Sequence, residues 1–248
     1  MKEKVNDVKI LLICGHGAGD PGAIGNGHQE SDLVREAAPK LKTILSNYAE
    51  VTLFDPTKDM YEYLKSNSFN FKEFDYVLEL HFNAYNKKAT GTEIIVHNLE
   101  KGISVEETIV NNIAELGFVN RGVKRRTDLR NMNICKKNQG VSYALLEICF
   151  IDNVEDMTLY QTKKNDIIEA IANGIIEGFK LNIAPNNSMN DVEPAEQLLT
   201  SANDITWELN HSFFPITDTK KFVKELDEAK QKNSSLYWGF YKLVNKIK

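Results

Sequence analysis

Five short apolar or alternating runs, Val8–Cys14, Glu50–Phe54, Asp75–Phe82, Thr92–His97 and Tyr143–Phe150, are separated mostly by segments whose apolar residues recur at helical spacing. Runs of that length read as strands and the intervening periodicity as helix, which restricts the chain to an α/β fold with a mostly parallel sheet flanked by helices. In such a sheet the C-terminal ends of strands and the N-termini of helices share one edge, and ligands gather there.

The helical segments carry start and stop chemistry. Ser104-Val-Glu-Glu107 reads as a capping box ahead of Val105, Ile109, Ile113 and Leu116, with Gly117 as the stop. Asn165 reads as the cap of a helix over Asp166–Lys180. A helix after Ser31 buries Leu33, Ala37, Leu41 and Leu45, with Pro39 expected to bend or interrupt it. Residues 1–182 then form one domain. The polar stretch NIAPNNSMNDVE marks a linker over 183–193. Residues 194–248 hold three amphipathic patterns, Pro194–Asn210, Thr217–Gln231 and Ser234–Ile247, expected to make a small all-helical module. A bundle of that size is marginal alone, so pairing of two copies through these helices, or docking on the main domain, is expected.

Composition excludes several function classes. Lys and Arg number 30 against 35 Asp and Glu, a net charge of −5, so no general positive field exists to hold nucleic acid or an anionic membrane. Cys14, Cys135 and Cys149 are too few and too scattered for a disulfide framework and read as reduced thiols. Val8–Cys14 is followed by Gly-His-Gly instead of a small-residue cleavage site, and nothing approaches the ~18 apolar residues of a membrane span. The expectation is a soluble chain made in the cytoplasm, without membrane insertion, that needs a separate route to any work outside.

The ligand-binding edge can be populated from the sequence. His16 lies two residues past the first strand in a Gly-rich loop, Glu30 ends that loop at a helix start, His81 lies at the end of the third strand and Glu147 late in the fifth. Two imidazoles and a carboxylate suit one Zn²⁺ ion with an open position, and the helix dipole favours an ionised Glu30. Glu147, inside the apolar run LLEICF, is expensive to bury as an unpaired charge, and a metal ion beside it explains the placement. As the carboxylate that does not bind metal, it reads as the general base, facing the side of Leu145 and Cys149, opposite Leu146, Ile148 and Phe150. The plainer alternative is an ion pair with Arg121, Arg125, Arg126 or Arg130. His97 is expected on a strand antiparallel to the third, at the opposite sheet edge; His28 is a weaker ligand candidate, His211 a surface or packing residue, and Cys14 and Cys149 small buried hydrophobes.

Gly15-His16-Gly-Ala-Gly-Asp-Pro-Gly22-Ala23, Glu30 opening a helix, Leu80-His81-Phe-Asn83-Ala84 and Leu145-Leu-Glu147-Ile-Cys-Phe150-Ile-Asp-Asn153 together resemble the zinc-dependent N-acetylmuramoyl-L-alanine amidases of the type 3 class. The resemblance runs from about Lys9 to Leu181. It implies a twisted mixed sheet between helices, His16, Glu30 and His81 as zinc ligands, and Glu147 as the catalytic carboxylate. It also implies peptidoglycan as substrate, cut between N-acetylmuramic acid and L-alanine. Two positions depart from the family pattern, Glu79 in place of Ser and Cys149 in place of Gly; Glu79 alternates onto the face of His81, where it either orients that imidazole or perturbs the charge of the site. Asn83 and, within the basic run Arg121–Arg130, Arg126 and Arg130 are expected to contact substrate, the arginines through stem-peptide carboxylates. Domain order and the missing leader resemble phage or prophage endolysins released through a holin pore. The C-terminal module is then a cell-wall carbohydrate binder, with Trp238 and Tyr241 as its exposed aromatic pair. A zinc peptidase acting within stem peptides and a non-catalytic wall-binding protein are the alternatives.

Overall fold

A computed structural model of the chain describes residues 8–181. The expected linker and helical module, with His211, Trp238 and Tyr241, lie outside the described residues. The elements in chain order are β1 (Lys9–Cys14), β2 (Ile24–Gly25), β3 (His28–Gln29), α1 (Glu30–Leu45), β4 (Glu50–Leu53), α2 (Met60–Ser66) and a 3-10 turn (Phe71–Glu73). They continue with β5 (Tyr76–Asn83), β6 (Thr92–His97), α3 (Ser104–Ala114), β7 (Asn120–Arg126), α4 (Arg130–Met132), a π-helical turn (Asn133–Asn138), β8 (Ser142–Phe150) and α5 (Val154–Phe179).

The sheet has six strands in the order β4-β1-β5-β8-β6-β7. All neighbours are parallel except β6 and β8, so the mostly parallel mixed α/β sheet expected from the sequence is the one formed. Alternation along the strands divides the core in two. Ile10, Leu12, Leu78, Leu80, Ala144 and Leu146 pack under α1, α3 and α5, while Leu11, Ile13, Val77, Tyr143 and Leu145 pack with Met60, Leu64, Phe71 and Met132 on the other face. Strands buried on both faces read as continuous apolar runs, as β1 does, and each fully buried Leu or Ile there contributes ~1.5–3 kcal/mol.

Several local expectations are corrected. The basic run from Arg121 lies in β7, an edge strand whose charges keep its open side from pairing with other chains. Ser104 is the first residue of α3 and Ile103 its cap, with no side-chain bond, so the capping box does not form. Asn153 caps α5, its Oδ1 accepting from the backbone N–H groups of Glu155 and Asp156. Asn165 lies inside that helix, two residues beyond a non-helical Lys163 (φ −118°, ψ 24°), so the expected start is a kink. α1 begins at Glu30 and runs through Pro39 without interruption. Strand β6 does run antiparallel to β5, but β8 lies between them.

One irregularity changes the faces. His81 pairs with Glu147 but Asn83 with Phe150, so β8 has one extra residue there. The bulge sends Cys149 to the core under α5, where it is fully buried, and returns Phe150 to the face of Glu147. Alternation without a bulge gave the reverse for both.

Candidate metal centre and active site

The Gly15–Gly27 loop leaves β1 at the C-terminal edge, and its backbone is shaped around the site. Gly22 has φ +65°, and a Cβ there would sit 2.6 Å from Glu30 Oε2; a Cβ on Gly15 would lie 2.4 Å from the His81 ring. Side chains at either position would displace these groups. His16 itself has φ 56°, and Arg35 fixes this strained turn from α1 by donating to the carbonyls of Gly15, Ser31, His16 and Pro56. Asp20 Oδ2 accepts from His16 Nδ1 at 2.8 Å, which leaves Nε2 facing inward.

His16, Glu30 and His81 converge there, each offering one ligand atom within 4.8 Å of the others. Glu30, 2% exposed, lies between the two rings: Oε2 is 3.2 Å from His16 Nε2 and Oε1 2.8 Å from His81 Nδ1. The backbone N–H groups of Ala23 and Phe82 each donate to one of its oxygens. Burial alone would raise the Glu30 pKa; the bonds and charges of the two histidines outweigh it and hold the carboxyl ionised, well below its usual range. The dominant cause is therefore the histidines. The bond to Glu30 raises the His16 pKa against the opposing effect of burial.

Three N and O donors from distant parts of the chain, held by hydrogen bonds to fixed partners, make a donor set able to hold a divalent metal ion. The thiols play no part: Cys14 donates to the Val34 carbonyl and burial pushes it up to about 11, and burial raises Cys149 well above its ordinary value. His28 Nε2 is 3.2 Å from Gln161, away from the cluster. His97, 2% exposed, is bonded to Asn133 and to the Leu99 N–H.

Glu147 stands opposite His81 in the parallel β5–β8 register, one strand spacing away, ~4.8 Å. Its Oε2 is enclosed and has no hydrogen-bond partner among the described residues. None of the four arginines pairs with it. Arg121 binds Glu93, Arg126 binds Asp128, Arg125 donates to the carbonyls of His97 and Glu100, and Arg130 donates to the Leu64 carbonyl. Burial raises the Glu147 pKa from 4.5 to about 7, against the lowering effect of His81.

A buried carboxyl with a raised folded-state pKa stabilises the fold fully below its unfolded value and loses that contribution as pH rises through the folded value. In metal-free protein the melting temperature of wild type, compared with Glu147→Gln, is expected to fall between pH 4.5 and about pH 7. Parallel curves across that window contradict the assignment.

Glu79 does face His81, its Oε1 3.2 Å from Nε2 but without hydrogen-bond alignment, and Asn131 Nδ2 is 3.2 Å from both carboxylate oxygens. Asn83, at the end of β5, donates to Glu93 Oε1 at 3.0 Å. Arg35, Asp20, Glu93 and Asn131 were not singled out by the sequence, where each is an ordinary polar residue of a helix, loop or strand.

The sequence pattern of the family described as N-acetylmuramoyl-L-alanine amidase matches residues 10–177. The chain belongs to this amidase family. A similar protein is the probable autolysin PH of Staphylococcus aureus, 29% identical over 86% of this chain and 48% of that protein. The chain thus spans about half the length of that relative. The sporulation-specific N-acetylmuramoyl-L-alanine amidase of Bacillus subtilis is 30% identical over 75% of this chain and 74% of the relative. The solved catalytic domain of the CD27L endolysin targeting Clostridia difficile has the same fold, with a TM-score of 0.57 at 22% identity, over 68% of this chain and 97% of that domain. Among the described residues of this family member, no helix is long and apolar enough to cross a membrane.

Proposed function

We propose that the chain hydrolyses the amide between N-acetylmuramic acid and L-alanine in peptidoglycan, with His16, Glu30 and His81 holding one zinc ion and Glu147 as the catalytic base. The observation that carries this reading is the meeting of the three ligand atoms within 4.8 Å, with Glu147 in register beside His81. A zinc ion bound there supplies Lewis-acid polarisation of the scissile carbonyl and acidifies water. Glu147 takes a proton from the attacking water and delivers it to the leaving nitrogen of L-alanine as the C–N bond breaks; the second water proton follows to the same nitrogen, so that one water and one amide become a carboxylate and an ammonium group. The enclosed, unpartnered Oε2 and the raised pKa suit a group that must hold a proton for part of the cycle. His16 and His81 keep their orientation through Asp20, Glu30 and the contact with Glu79.

In the same reading Asn83 and Arg130 contact the substrate, whereas Arg126, expected there, is turned away: it pairs with Asp128 and lies opposite His97 at the far end of β7. Residues 194–248 act as a carbohydrate-binding module through Trp238 and Tyr241, tethered by the 183–193 linker and able to pair two copies. The chain then works on the wall as an endolysin, after release through a holin-type pore. The test is digestion of purified peptidoglycan with and without chelator. New L-alanine amino termini without new reducing ends, abolished by chelation, are expected; new termini inside the stem peptide instead identify a peptidase and overturn the reading.

A further inference from the structure

We infer that Arg121 forms a subsite for a free carboxylate of the stem peptide and so selects substrates; this rests on the amidase reading above. The fold brings Arg121 to the active edge. Because β6 runs antiparallel to β8 and parallel to β7, the start of β7 lies at the edge where β8 ends, with Thr92 opposite Asn120 and Glu93 directly opposite Glu147. Arg126, opposite His97, belongs to the other end of the same strand.

Two glutamates facing each other across an antiparallel pair repel. Glu93 is relieved of this by two partners, Arg121 Nε at 2.7 Å from Oε2 and Asn83 Nδ2 at 3.0 Å from Oε1. The Arg121 guanidinium also lies 5.0 Å over the Phe150 ring, which the β8 bulge turned to this face. One edge and one face of the guanidinium are thereby held. Its two Nη groups donate to no group among the described residues, and 35% of the side chain is exposed. Arg125, Arg126 and Arg130, by contrast, spend Nη donors on carbonyls or on Asp128.

A guanidinium locked through Nε and stacked on a ring presents two parallel Nη donors, the geometry that takes a carboxylate bidentately. Around the scissile amide the sugar side is neutral, and the free carboxylates belong to the peptide. Arg121 therefore marks the peptide side of the cleft, two strands beyond Glu147 with β6 between them.

The test compares kcat/KM on two preparations of one peptidoglycan, with the stem carboxylates free or converted to amides, for wild type, Arg121→Ala and Arg121→Lys. Wild type is expected to prefer the free acid by about tenfold to a hundredfold, the worth of hydrogen bonds to a charged group. Arg121→Ala brings the ratio near one and Arg121→Lys falls between, since lysine keeps the charge without the fork. Loss of the Glu93 partner slows both substrates alike and cancels in the ratio. Equal rates on both substrates by wild type, or a ratio unchanged in Arg121→Ala, overturn the assignment and leave the amidase reading standing. Failure to release L-alanine amino termini from either preparation overturns the amidase reading and this one with it.

Discussion

Glu147→Gln is expected to retain metal at the wild-type level and to lose turnover by roughly a factor of 10² to 10⁴, the contribution of a positioned general base. The substitution keeps the shape of the side chain and removes its ability to accept a proton. Because Glu147 lies one strand from His81 and bonds none of His16, Glu30 and His81, the three ligand atoms keep their places. The fall should appear in kcat more than in KM, since the group acts in the transition state. Steady-state kinetics on peptidoglycan together with metal analysis separate the outcomes: a fully active variant removes Glu147 from the mechanism, and an inactive variant that has also lost its metal makes it a ligand instead of a base.

His81→Ala has the other large effect and acts through a different cause. His81 offers one of the three candidate ligand atoms, and its Nδ1 lies 2.8 Å from Glu30 Oε1. Its removal deletes a ligand and leaves a buried carboxylate with one histidine partner fewer. Metal binding falls by more than the ~10–100-fold typical of losing a group that merely orients a ligand, and activity falls with it. A ligand that binds only the folded state raises the melting temperature by mass action. Chelator should therefore lower the melting temperature of wild type and leave that of His81→Ala unchanged; equal shifts in both proteins contradict the ligand assignment.

The centre of this site was legible in the sequence because its residues break local rules. A glutamate inside LLEICF and histidines just past or at the end of apolar strands have no local reason to be there, and α/β topology carries them to one edge. What stayed hidden depends on departures from regular geometry or on long-range partners. The bulge in β8 exchanged the faces of Cys149 and Phe150, and strict alternation cannot anticipate it. Strand β7 was obscured by the charges that protect an edge. The β2–β3 hairpin, with Asn26 and Gly27 both at positive φ (49° and 79°), carries an Asn-Gly turn that was present in the sequence and passed over inside a loop rich in glycine. Arg35 and Glu93 act through partners 21 and 28 residues away, Pro56 and Arg121, and no spacing rule along the chain connects them.

The central claim is that three side chains from separate elements hold one divalent ion. Elemental analysis of purified wild type beside His81→Ala tests it most directly. One zinc per chain in wild type, removed by chelator together with the activity and absent from the variant, is the expected result. Undiminished hydrolysis of peptidoglycan by a chain stripped of all divalent metal contradicts it.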